Sequence, residues 1–493
     1  MRRLVIAILA ASLALLGLPV AAVAQPSIDT SPRAEAPPSL RWTSCGGESG
    51  PKVQCAFLRV PRDWARPSAG TYRIAVARIR AEVAPTRGVL IFNPGGPGAA
   101  GLDFLIGVQR GLPKEVRDSF DIVTFDPRGV GGSEPTFTPC RTPNPKPPKT
   151  GAVDWEAVTT EYMDAMSAAL QKCLQANKAD ADYVGSWQVA GDIDALRRAL
   201  RVEKISFWGM SYGTTLGRAY AQQFPQRLRA LVLDGTITPT PTVGDYAREH
   251  IWDDATAIQT MLGAFGAKSK RAYRTVMTFL ERQTIATPDG VLDRWSVSSY
   301  LVNNAAYQQK WDEVKQLLHE LYKAIRNART VSRDAAQRIV SSATTTRAEG
   351  GSNPAYHFVN CSDMHDRPSA RVVAGAAEQA AKVGGTALGM PSLGEGTQCA
   401  GLPPLGRAVP PLSGTLRLPT PPVIVNSVGD NRTPWLGARE AANAFTGSSM
   451  VTYVGTQHVA YTGTSSCVDA AVTPYFLDLT LPARSVACPL VYP

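Results

Sequence analysis

The chain has 493 residues and a formal charge of +10, longer than one ordinary domain of roughly 100–200 residues. Its lysines and arginines are scattered rather than clustered with aromatics, which argues against a nucleic-acid surface. Eight cysteines stand at Cys45, Cys55, Cys140, Cys173, Cys361, Cys399, Cys467 and Cys488 with no Cys-x-x-Cys pair, so the pattern speaks for disulfides in an oxidising compartment and against a zinc site.

Arg2 and Arg3, the apolar stretch from Leu4 to Val20 and Ala22-Val23-Ala24 before Gln25 have the layout of a secretory signal. Residues 1–24 are therefore expected to be cleaved, leaving a secreted, periplasmic or cell-envelope protein. The apolar stretch is short for a span, and no other segment approaches the roughly 20 apolar residues a span needs, so no stable membrane insertion is expected. Sequential pairing of the cysteines, 45 with 55, 140 with 173, 361 with 399 and 467 with 488, is the simplest connectivity. The sequence alone leaves the others open.

Residues 25–40 are rich in Pro, Ser and Ala and read as a loose leader. Cys55 to Val60 and Thr71 to Arg80 then alternate like paired edge strands, and Gly88 to Phe92 and Phe120 to Phe125 read as buried strands. Helical patterns run from Leu102 to Gln109 and Trp155 to Ala176, and the segment Trp187 to Ala199 precedes the elbow strand. Ile205 to Trp208 is a strand, Thr214 to Ala221 a small-residue helix, and Arg229 to Leu233 the next strand. This alternation predicts a mostly parallel sheet flanked by helices. From about Thr236 to Pro410 the pattern becomes helical, as at His250 to Phe265, Ser269 to Arg282 and Trp311 to Arg326. Strands return at Val423 to Ser427 and Met450 to Val454. The organisation predicted is a core in two parts, 25–235 and 416–493, around a helical cap at 236–415.

The chemistry centres on Gly209-Met210-Ser211-Tyr212-Gly213. Gly-x-Ser-x-Gly alone is an ordinary glycine-rich turn, but here a strand precedes it and a helix follows, the setting of a nucleophile elbow. Ser211 is the nucleophile this predicts. A serine hydroxyl needs a base, and histidine serves near neutral pH. Of the five histidines, His250, His319, His357 and His365 fall in the cap, whereas His458 follows a terminal core strand. Asp430, after the preceding strand, completes the order Ser, acid, His. Asp234, at the end of the strand after the elbow helix, is a rival acid whose simpler role is to cap the start of the inserted segment. For the oxyanion, Asn93-Pro94-Gly95-Gly96-Pro97-Gly98 offers the Gly96 N–H, and the elbow offers the Tyr212 N–H. A phosphate-binding loop is the competing reading, but no Gly-Lys-Ser/Thr follows and Pro94 and Pro97 have no N–H.

These segments, with Phe125-Asp126-Pro127-Arg128-Gly129-Val130-Gly131-Gly132-Ser133 and Thr433-Pro434 after Asp430, resemble the secreted tripeptidyl aminopeptidases of the α/β-hydrolase fold, relatives of the proline iminopeptidases. The resemblance covers most of the mature chain and is sharpest in the two core parts. It implies a serine exopeptidase that takes a peptide by its free amino terminus under the cap, through an acyl-enzyme and without metal or organic cofactor. Ser211, Asp430 and His458 match its triad, and Cys361-Ser362-Asp363 matches a late cap motif. Asp363 is thereby a candidate for the substrate ammonium, with Glu249 and Asp245 as further ones. The chain departs from the pattern at Asn431, where a proline is usual, and lacks a cysteine near Phe265-Gly266-Ala267. The alternative substrate is a small ester or lactone on the same triad, as for a carboxylesterase, since fold and triad do not select the acyl group. A binding protein with a vestigial site is the third reading.

Overall fold

The computed structural model describes residues 39–45, 52–327, 330–348, 353–412 and 414–492. The expected signal at 1–24 lies outside them. In chain order the strands are β1 (Thr43–Ser44), β2 (Val53–Pro61), β3 (Thr71–Ile79), β4 (Gly88–Asn93), β5 (Phe120–Phe125), β6 (Ile205–Met210), β7 (Leu228–Asp234), β8 (Ile285–Thr287), β9 (Gly290–Leu292), β10 (Val423–Ser427), β11 (Ser449–Tyr453) and β12 (Ser485–Cys488). Ten form one sheet in the order β1-β2-β3-β5-β4-β6-β7-β10-β11-β12, while β8 and β9 make a separate hairpin. Pairings from β5 to β12 are parallel, and β1, β2 and β3 join antiparallel at one edge. This is the α/β-hydrolase architecture, a mixed and mostly parallel sheet between helices.

β6 shows why the centre of the sheet reads as a continuous apolar run. All six of its residues are buried, as expected where helices cover both faces. Ile205 and Phe207 pack on one side with helices Trp155–Asn177, Ser186–Ala199 and Gly213–Gln223. Trp208 and Met210 pack on the other with helices Gly101–Gly111 and Ser466–Asp478.

Between β7 and β10 the described elements are helices apart from the β8–β9 hairpin, the last of them ending at Thr397. Helices Asp253–Phe265, Ala267–Leu280, Arg294–Ala305 and Trp311–Arg326 close around their own apolar cluster, with the Phe265 and Trp311 rings edge to face at 5.9 Å. Helices Ala355–Asp363 and Ala370–Gly384 pack instead into the cluster of the main sheet. The helix expected at His250 to Phe265 begins three residues later, at Asp253, because His250 is the C-cap of a separate helix Val243–Glu249 before it. The composition passed over β12, which extends the sheet beyond β11 and ends at a buried cysteine.

The disulfides are Cys45–Cys55, Cys140–Cys173, Cys361–Cys399 and Cys467–Cys488, the sequential pairing. No described helix is long and apolar enough to cross a membrane.

The Asp126-Pro127-Arg128 segment after β5 is structural. Arg128 is fully buried and holds Asp192 through two bonds, Nε to Oδ2 at 2.6 Å and Nη2 to Oδ1 at 2.7 Å. Its remaining N–H groups donate to the carbonyls of Pro61, Arg62 and Tyr183. Because an unpaired buried charge is far worse than no charge, Arg128→Met is expected to destabilise the fold by about 3–5 kcal/mol. Urea unfolding at neutral pH measures this, and Arg128→Met with Asp192→Leu is expected to recover most of the loss.

Candidate active site

Ser211 sits between β6 and helix Gly213–Gln223 at φ +53°. A non-glycine residue there carries strain of order 1–3 kcal/mol. Ser211 N–H donates to the Asp234 carbonyl at 2.9 Å, and the Ser211 carbonyl accepts from Thr214 N–H at 2.9 Å and Thr214 Oγ1 at 2.6 Å. The sharp turn needs its glycines. A Cβ on Gly209 would stand 2.3 Å from the Gly213 carbonyl oxygen, and one on Gly213 would stand 2.4 Å from that of Asn93.

The loop after β4 lies against this turn. Gly95 has φ +94°, and a Cβ there would be 2.7 Å from Tyr212 N and 3.0 Å from Ser211 Cβ. The Gly95 N–H is occupied by Asn93 Oδ1 at 3.0 Å. Among the described residues, neither the Gly96 N–H nor the Tyr212 N–H has an acceptor. Asp126 secures the loop's far end by accepting from Leu102 N–H and Gly132 N–H.

Asp430 and His458 meet. His458 Nδ1 lies 2.9 Å from Asp430 Oδ2 and 3.1 Å from Oδ1. Asp430 also accepts from Arg432 N–H, Thr433 N–H and Thr433 Oγ1. Four donors around one fully buried carboxyl group define its orientation. His458 N–H donates to the Ala306 carbonyl at 2.8 Å, so the inserted segment holds the imidazole loop directly. Gly235 at φ +65° passes under the ring, where a Cβ would meet His458 Cε1 at 3.1 Å.

Asp234 does not cap the start of the inserted segment. Its carboxylate accepts from Ala460 N–H at 2.8 Å and Tyr461 N–H at 3.0 Å, just beyond His458, while its carbonyl holds Ser211. Burial pushes its pKa up to about 7 against the pull of those two N–H groups and His458.

On one flank of this centre the inserted segment presents carboxylates. Glu249, Asp253 and Glu395 are partly accessible. Burial pushes Glu249 up to about 8 and Asp253 up to about 7, and raises Glu395. Burial also pulls His250 down, but the charges of Asp254, Glu395 and Glu249 outweigh this and hold it at about 9. His250 Nδ1 and Asp254 Oδ2 are 3.2 Å apart but out of line for a hydrogen bond, which makes the contact an ion pair. The cluster borders the glycine loop, since Tyr356, next to Glu395, has its N 3.8 Å from a Cβ placed on Gly98. It also borders the acid loop, where Asn431 Nδ2 donates to Asp254 Oδ1 at 2.7 Å.

A cavity of about 590 Å³ lies beside His458 and is lined by Met210, Trp208, Tyr307, Gln308 and Gln457 among others, with no Asp, Glu, Lys or Arg. The other expected site residues fall elsewhere. Asp245 is paired with Arg248 and Thr242 Oγ1 at the start of its helix. Asp363 is buried beneath the elbow. Glu395 escaped the sequence reading, although it is the only charged residue between Lys382 and Arg407. No described cluster of His, Cys, Asp and Glu is suited to a metal.

Residues 88–462 match the alpha/beta hydrolase fold family, and the chain belongs to that family. It is 30% identical to serine protease Hip1 of Mycobacterium tuberculosis over 91% of both chains. It is 27% identical to a tripeptidyl aminopeptidase of Streptomyces lividans, over 91% of this chain and 86% of that one. It is 29% identical to carboxylesterase B of Mycobacterium tuberculosis, over 98% and 97%. The protein is a serine hydrolase.

Asp234→Asn keeps the shape but turns an amide NH2 toward one of the two N–H donors. A stability loss of about 1–3 kcal/mol is expected, together with lower turnover. Thermal unfolding alongside ester hydrolysis by the same preparation reads both.

Proposed function

We propose that the protein is a secreted or envelope-exposed exopeptidase that releases short peptides or single residues from free amino termini. The catalytic residues are Ser211, His458 and Asp430. His458 takes the Ser211 proton, Ser211 attacks the scissile carbonyl, and the Gly96 and Tyr212 N–H groups hold the oxyanion. His458 then protonates the leaving amine, and water releases the acyl group by the same base. Asp430 keeps the Nδ1–H tautomer and stabilises the imidazolium.

The observation that carries this reading is the accessible group of carboxylates, Glu249, Asp253 and Glu395, beside the glycine loop and the Asp430 loop. Carboxylates held out of bulk water gain an ion pair when an ammonium arrives, and such charge-assisted bonds are the strong ones. An acyl ester has no cation to place there. The Hip1 and tripeptidyl aminopeptidase relatives support the same reading. The signal-like pattern of residues 1–24 and the four disulfides support an extracytoplasmic setting. The carboxylesterase relative favours one second reading, an esterase on the same triad.

Free and N-acetylated mono-, di- and tripeptide anilides, set beside a short acyl ester, separate the two. The exopeptidase cleaves free peptides and spares acetylated ones, whereas hydrolysis of the ester alone would establish the esterase. Ser211→Ala is expected to lower kcat by more than about 10⁴-fold on any substrate while the fold persists.

The carboxylates also set a pH signature. Burial pushes Glu249 up to about 8 and Asp253 up to about 7, so the group gains negative charge as pH rises from 6 to about 8. A peptide α-ammonium persists until about pH 7.7–8.0. The ratio of kcat/KM for a free peptide to that for the ester is expected to rise up to about pH 8. Glu249→Gln is expected to flatten that rise. A ratio independent of pH in the unsubstituted protein would count against ammonium binding at these carboxylates.

A further inference from the structure

Asp363 enters as a candidate for the substrate ammonium, but its surroundings suit a different task. It ends helix Ala355–Asp363 of the inserted segment and is 6% exposed, beneath the nucleophile turn rather than in the cleft. Both carboxylate oxygens are engaged by the core. Oδ2 accepts from the Tyr212 hydroxyl, and Oδ1 accepts from Ser186 N–H at 3.1 Å, at the first turn of helix Ser186–Ala199. The triangle closes with Ser186 Oγ 2.8 Å from the Tyr212 hydroxyl. Approach is tight here: a Cβ on Gly185 would stand 2.8 Å from Ser362 Cβ. Cys361–Cys399 braces the same helix turn.

Tyr212 is the residue for which such bracing matters. Its backbone is right-handed helical, φ −56° and ψ −26°, while Ser211 before it stands at φ +53°. The peptide between them therefore sits where the backbone changes hand, and no hydrogen bond from its own N–H fixes it among the described residues. A tyrosine has two side-chain torsions, so pinning the far end of its ring limits how the Cα and the preceding peptide plane can turn. Arg218, on the elbow helix and 3% exposed, supplies a nearby positive charge, with Nη1 bonded to the Pro410 carbonyl at 2.9 Å. Burial raises the Asp363 pKa, and the donors from Tyr212 and Ser186 together with the Arg218 charge oppose it.

We propose that Asp363 is a positioning residue: by holding the Tyr212 hydroxyl it keeps the Tyr212 peptide N–H aimed at the developing oxyanion, so that the inserted segment sets the geometry of the elbow it covers. The proposal rests on the roles given above to Ser211 and Tyr212. It removes Asp363 from the ammonium site and leaves that task to the carboxylates of the cleft.

The test uses Tyr212→Phe, Asp363→Asn and the double variant, each assayed on a free tripeptide anilide and on the acyl ester. Each single change is expected to lower kcat about 10- to 100-fold on whichever substrates the unsubstituted protein cleaves, with KM within about 3-fold. Affinity for a peptide boronic acid, whose serine adduct places an oxygen in the oxyanion site, is expected to fall by the same factor as kcat. The double variant is expected to be no slower than the slower single, because both changes break one contact. The proposal is overturned if Asp363→Asn raises KM for the free peptide alone, which would make it an ammonium ligand. It is equally overturned if Tyr212→Phe keeps full kcat, or if the double loss is the product of the singles. Should Asp363→Asn not fold, Tyr212→Phe, which retains the ring, decides by kcat and boronate affinity. Full turnover by Ser211→Ala would overturn the nucleophile assignment and this proposal with it. Cleavage of the ester alone would overturn only the exopeptidase reading, since the same variants can then be compared on the ester.

Discussion

Everything in the site hangs on Asp234. Its carbonyl takes the Ser211 N–H at 2.9 Å, and its carboxylate takes the Ala460 and Tyr461 N–H groups. Ser211 at φ +53° and Val459 at φ +60° both occupy the left-handed region, which is a genuine outlier for a β-branched valine. Strained residues persist only where their surroundings over-determine them. One fully buried residue at the end of β7 supplies that restraint to both loops at once, and so fixes the nucleophile turn relative to the imidazole loop. A carboxylate without those two N–H partners would be an uncompensated buried acid, and the loop without the carboxylate would carry two unpaired donors.

The inserted segment is more than a cover. Ala306 holds the His458 N–H, Thr456 Oγ1 donates to the Ala305 carbonyl at 2.5 Å, and Arg432 reaches Asn303 Oδ1 at 2.9 Å. Asn431, the departure from the family's proline, donates to Asp254 and to the Val302 carbonyl. A proline there has no such amide to give. These contacts run from the C-terminal end of helix Arg294–Ala305, the turn after it and Asp254 to the loops that carry Asp430 and His458, and Asp363 adds its own at the elbow.

Electrostatically the two sides of His458 differ. On one side Glu249, Asp253 and Glu395 stand with raised pKa values beside the His250–Asp254 ion pair, an arrangement short of positive charge. On the other side the cavity past Met210 and Tyr307 is lined by no Asp, Glu, Lys or Arg.

The sequence by itself determined the strands that are buried on both faces and the glycine-flanked turn around Ser211, and it pointed to Asp430, His458 and the pairing of neighbouring cysteines without fixing them. The first two are local: a period-two or continuous apolar run, or a steric need for glycine. Only the tertiary structure decided which carboxylates come together, because Glu249 and Glu395 lie far apart in sequence and Glu395 has no periodic or motif context to mark it. The same holds for Asp234 and Asp363. A single aspartate at a strand end or helix end has many local uses, and only the packing of β7 against the His458 loop, and of helix Ala355–Asp363 against Tyr212, selects one.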